Sequence, residues 1–136
     1  MGTWAVDAFG NDDAGDWAYG LEGIKDLSLV EATLDKALGL EGEYLEAPDA
    51  AEALAAIEVI ARLQGNWGIR NSYTETADSW VSAVGLVPTT NLNKKAHQVV
   101  AQIIGEKSEL NELWEESEEH SEWVASVLEL KSRVHV

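Results

Sequence analysis

Cysteine is absent from this 136-residue chain. That excludes a disulfide framework, a thiolate zinc site and a cysteine nucleophile together, and leaves the redox compartment open. Proline occurs only twice, so few positions are barred from continuing a helix. Cations are scarce as well. Nine Lys and Arg stand against 25 Asp and Glu, for a formal net charge of −16, and the isoelectric point lies near 4.3. A field of that sign repels phosphate backbones and anionic lipid surfaces, which argues against nucleic acid and membrane as partners. It would attract a basic protein or a metal cation. No apolar run approaches the length of about 18 residues that a membrane helix needs. No basic stretch followed by an apolar run opens the chain, and Val6 stands where a myristoylation signal wants Ser or Thr. The expected location is the cytoplasm.

What remains is ordinary for a globular domain: 46% of residues are hydrophobic, with six tryptophans. The apolar period is helical almost throughout, and no segment alternates as a strand would. Asn11 is placed to cap a first, short helix whose face is Ala14, Trp17, Leu21 and Ile24. Ser28 with Glu31 reads as a capping box ahead of Val30, Leu34, Ala37 and Leu38, with Gly39 as the stop. After a loop over 40–47, Pro48 opens a helix to about Gln64, ended by Gly65. Its charged residues Glu52, Glu58 and Arg62 share one arc, and the rest of its circumference is apolar, which marks it as the central helix.

A loop over 66–73 follows. Ser72 with Glu75 reads as another capping box, for a helix carrying Ala77, Trp80, Val81 and Val84 and stopping at Gly85. Pro88 and Thr89 lead into a helix with Leu92, Ala96, Val99, Val100 and Ile103 inward, ending near Gly105. In the last quarter, Leu110, Leu113 and Trp114 form one stripe, and Trp123, Val127, Leu130 and Val134 a second, displaced by roughly 120° at 100° per residue. The phase shift predicts a break near Glu118 and Glu119, between a short helix capped by Ser108 and a longer final one. The expected fold is a single-domain, all-α irregular bundle of six or seven helices over residues 1–136, anchored by inward tryptophans.

Several blocks resemble a known family. Gly2-Thr3-Trp4, Phe9, Asn11-Asp12-Asp13-Ala14 and Asp16-Trp17 are similar to the N-terminal signature of small bacterial proteins grouped as domain of unknown function 4259. The segments Tyr44-Leu45-Glu46-Ala47-Pro48, Ser108-Glu109-Leu110, Leu113-Trp114-Glu115-Glu116-Ser117 and Trp123 continue the resemblance in order along the chain. Ala5 departs from it, where the family pattern expects glycine. The resemblance implies a self-contained bacterial domain with Trp4, Asn11, Asp12, Trp17 and Trp114 important to its architecture. It implies no catalytic residues, because the family has no assigned activity.

Chemistry could sit in two acidic clusters. Asp7, Asp12, Asp13 and Asp16 crowd near Asn11, but a calcium loop counted from Asp7 would need glycine at Asp12 and glutamate at Ala18, so that template fails. Helix capping by Asn11, Asp12 and Asp13, with Asp16 beyond, is the bland alternative. Glu112, Glu115, Glu116 and Glu119 recur at spacings of three and four and are expected to share a helix face. A di-metal bundle site would pair Glu-x-x-His motifs on facing helices, and none occurs. His97, His120 and His135 show no zinc-binding spacing, and no Gly-x-Ser-x-Gly elbow or phosphate loop is present. The reading assigns no catalytic residue, metal or cofactor. It expects a non-catalytic module that binds a basic protein through these acids, chiefly those of the C-terminal third. A metal-assisted hydrolase using clustered carboxylates, or a purely structural subunit of an assembly, are the alternatives.

Overall fold

The computed structural model describes residues 5–136. Seven helices follow in order: α1 (Asp12–Tyr19), α2 (Ser28–Gly39), α3 (Ala47–Leu63), α4 (Glu75–Val84), α5 (Thr90–Ile103), α6 (Glu109–Glu115) and α7 (His120–Arg133). Helix α3 packs against each of the other six. Its sequence explains why. Alanines at 50, 53, 55, 56 and 61 are fully buried and let neighbouring backbones approach closely, while Ile57, Val59 and Ile60 fill the space between them. The expected all-α bundle with a central third helix is what forms, and no described helix is long and apolar enough to cross a membrane.

The phase shift in the last quarter is a real break. Helix α6 ends at Glu115, α7 starts at His120, and each buries its own stripe: Leu110 and Trp114 on one, Trp123, Val127 and Leu130 on the other. The indoles of Trp114 and Trp123 stack across the junction, 6.1 Å apart and 9° from parallel. Trp17 and Trp80 are also buried, and each indole N–H finds an acceptor: the Thr33 hydroxyl at 2.8 Å and the Ile24 carbonyl at 2.7 Å. Trp67 is half-buried. Gly2, Thr3 and Trp4 lie outside the described residues.

Two expected boundaries are wrong in detail. Ser28 is the first helical residue of α2, not its cap; the Asp26 carboxylate accepts from the Ser28 backbone N–H at 3.0 Å and from its hydroxyl. Ser72 does not cap α4. Thr74 stands at that position, and its hydroxyl donates to Asp78 at 2.6 Å within the helix it opens. The stop at Gly39 is where α2 ends, and the left-handed turn falls three residues later at Gly42, φ 86°. For the two capping boxes an i, i+3 pattern fitted two registers, and a neighbouring side chain chose the other.

The expected loop before α3 is pinned rather than free. Leu45 and Ser108 form an isolated parallel bridge, with the Leu45 N–H donating to the Lys107 carbonyl at 2.7 Å and the Glu109 N–H to the Leu45 carbonyl at 2.9 Å.

Candidate functional site

The N-terminal acidic cluster divides into two parts. Asn11 adopts an extended backbone (φ −147°, ψ 162°) and its side-chain oxygen accepts from the Ala14 N–H at 2.9 Å, capping α1 as the sequence indicates. Asp12 and Asp16, both exposed, are one turn apart on the same side of α1. With Asn11, they line a half-open cleft of about 390 Å³ between α1 and the segment that leads into α4. Tyr19 and Tyr73 also line the cleft; they are 63% and 68% exposed. Phe9, also on its lining, is buried.

Asp13 is not part of this cleft. Its charge acts instead on Glu52 of α3, whose carboxyl is held above its ordinary pKa, first by burial and further by Asp49 and Asp13, against the opposing pull of Lys36.

The C-terminal acids are not on one helix face. Glu112 and Glu115 belong to α6, Glu116 closes it, and Glu119 precedes α7 beyond the turn. The predicted break near Glu118 and Glu119 is what separates Glu119 from the other three, which stay one turn apart at the end of α6. All four are exposed. Glu115 accepts from the Asn111 amide at 3.1 Å, and Asn111 in turn accepts from His120 Nε2–H at 2.8 Å. Glu109, from the same acidic run, is only half-exposed: its carboxylate accepts from the Ala47 N–H at 2.7 Å and caps α3 from across the bundle. Among the described residues no three His, Asp or Glu side chains converge on a point that could hold a metal ion.

A third polar group lies on α3. Glu58 and Arg62, expected on the charged arc of α3, are 7% and 2% exposed. Arg62 pairs with Glu58 one turn before it, donates through Nε to Asp78 of α4 at 2.7 Å, and reaches the Ile69 carbonyl at 2.6 Å. Arg133, at the end of α7, meets both oxygens of Glu58, sharing Oε1 with Arg62, with contacts of 3.0 Å to Oε1 and 2.6 Å to Oε2. Asp78 also takes the Thr74 hydroxyl and lies 3.5 Å from Arg70, which stacks on Trp67 at 4.3 Å. Helical periodicity shows that these charges share an arc, but it cannot show that partners 16 and 75 residues away cover it. The network pairs its charges internally and joins α3, α4 and α7.

Residues 2–126 match the family model of the domain of unknown function 4259 (DUF4259), and the chain belongs to that family. No curated protein and no solved structure matches it.

Proposed function

We propose that this member of the DUF4259 family is a cytoplasmic, non-catalytic binding module whose partner is a basic protein, docked at the cleft between α1 and the segment before α4. The observation that carries the reading is the cleft itself. Two carboxylates one turn apart, Asp12 and Asp16, line a concavity bordered by two exposed tyrosines, Tyr19 and Tyr73. Tyrosine is enriched at protein interfaces because it offers a large, rigid contact area with a polar end. A lysine or arginine entering such a site gains carboxylate contacts and an aromatic face together. The net charge of −16 adds long-range steering of a cationic partner.

The acids of the C-terminal third suit this role less well. They are spread over a helix end, a turn and the next helix start, and one of them, Glu109, is already committed to capping α3.

A charge-matched pair of variants separates the two surfaces. Asp12→Lys with Asp16→Lys, and Glu112→Lys with Glu115→Lys, each raise the net charge from −16 to −12. Capture of a basic partner by the wild-type chain at low salt should be lost with the first variant and retained with the second. Equal loss would mean that bulk charge alone governs capture, and retention by both would remove the proposal.

A further inference from the structure

Gly15 is a glycine that the packing of the bundle does not require. It lies inside the eight-residue helix α1, with its N–H donated to the Asn11 carbonyl at 3.1 Å. Its φ is not positive, unlike that of Gly23, Gly42, Gly65 and Gly85. A Cβ added to Gly15 would meet no described atom within 4 Å, whereas one added to Gly68 would press on the Arg133 guanidinium. Glycine is among the least favourable residues in a helix interior, so it weakens a short helix here and relieves no clash.

What the missing side chain does is leave the α1 cleft floored by bare helix. Asp12, Gly15, Asp16 and Tyr19 stand at i, i+3, i+4 and i+7, one stripe along α1, and all four line the cleft. The two carboxylates, one turn apart, border the glycine, and Tyr73 joins the lining from the segment that leads into α4. Asn11 is already committed: its amide donates to the Ala8 carbonyl at 3.3 Å and its oxygen accepts from the Ala14 N–H. The ion pairs among the described residues involve neither Asp12 nor Asp16.

We infer that Gly15 is the specificity-determining residue of the cleft, opening a flat trough on α1 that takes a single arginine side chain of the basic partner. This rests on the docking reading above and narrows it to one chemical group. A guanidinium is planar, with N–H donors along its edges. Laid over the glycine, it can reach a carboxylate on either side while a tyrosine ring covers its face. A lysine ammonium is a compact, strongly hydrated point charge and has no plane to stack. The chain makes the same combination internally, where Arg70 stacks on Trp67 at 4.3 Å and lies 3.5 Å from Asp78.

The test uses the full chain and two tripeptides, Gly-Arg-Gly and Gly-Lys-Gly, each acetylated and amidated at its ends. Titration is followed on the backbone amides by nuclear magnetic resonance at about 0.15 M salt, where bulk charge is screened. The arginine peptide should shift the amides of Gly15, Asp16 and Tyr73 saturably. It should bind about tenfold tighter than the lysine peptide, the equivalent of one charge-assisted hydrogen bond. Gly15→Leu fills the trough at constant net charge, so it should abolish those shifts while the melting temperature stays equal or rises.

Equal affinity for the two peptides, or a Gly15→Leu chain that binds arginine like the wild type, overturns the inference. If Asp12→Lys with Asp16→Lys still abolishes binding in that case, the docking reading stands without it. A lower melting temperature for Gly15→Leu would show that the fold itself requires the glycine, which also overturns it. So does the absence of any saturable shift with the arginine peptide, and the docking reading is then decided by its own capture experiment.

Discussion

Replacing Arg62 with methionine isolates the cost of breaking the buried charge network. Methionine keeps most of the unbranched stem and removes the guanidinium. Arg62 contributes the pairs to Glu58 and Asp78, the bond to the Ile69 carbonyl, and a cation over the rings of Phe9 and Trp67, each 5.7 Å away. Removing one partner of a buried pair typically costs about 3–5 kcal/mol, because the other charge is left desolvated. Here the orphaned groups keep some support. Glu58 retains Arg133, and Asp78 retains Thr74 and, at 3.5 Å, Arg70. The lower end of the range, about 3 kcal/mol, is therefore the expected loss. For a domain of this size that corresponds to a fall in melting temperature of roughly 10 °C.

Urea unfolding followed by far-ultraviolet circular dichroism and tryptophan fluorescence measures it, with an unchanged denaturant slope as the check that the folded state persists. Urea is preferred to guanidinium because it leaves the charges unscreened. Adding Asp78→Leu to Arg62→Met should cost less than the two single changes combined, since a charge left bare by the first is removed by the second. A loss below about 1 kcal/mol for Arg62→Met would refute the claim that the network is a desolvated structural unit.

Three further outcomes follow from named contacts. Glu52→Gln should stabilise the fold at neutral pH: a folded-state carboxyl pKa raised by burial means the fold binds more protons than the unfolded chain, so stability falls as pH rises through the carboxylate range, and the variant's advantage should vanish below about pH 4, as paired pH-dependent melts would show. Added salt, from about 0.01 to 0.15 M, should raise the melting temperature of the wild type by screening the excess of 16 negative charges, and an unchanged temperature would mean the exposed acids do not repel one another appreciably. Asp26→Ala should destabilise α2 more than Ser28→Ala does, because Asp26 accepts both bonds at that helix start; its carboxyl pKa is lowered by Ser28, so the difference is present at neutral pH and is lost as Asp26 protonates on acidification.

The sequence disclosed whatever depends on local period. The apolar rhythm marked all seven helices, the wide stripe of α3 identified the central one, and the phase slip between Trp114 and Trp123 located the break. What it concealed depends on contacts between distant segments. Glu58 and Arg62 look like a wet edge until Asp78 and Arg133 are folded over them. Glu109 reads as one more acid in a charged run until its carboxylate is found on the Ala47 N–H. The same holds for the α1 cleft. Asp12 and Asp16 are local, and their spacing was legible, but the tyrosine that faces them comes from residue 73. The capping boxes failed for a different reason: Asp26 stands two residues before Ser28 and Thr74 two residues after Ser72, and a motif of two residues cannot choose between registers.

The central claim is that the α1 cleft receives a basic protein, and site-specific photocrosslinking tests it most directly. A photoreactive phenylalanine analogue at Tyr73, on the cleft, is compared with one at Tyr44, which is 49% exposed beside the C-terminal acids. In native lysate the probe at Tyr73 should give a discrete adduct to a basic protein, abolished by Asp12→Lys with Asp16→Lys, while the probe at Tyr44 gives none. Adducts of equal yield at both positions, or none at Tyr73, would contradict it.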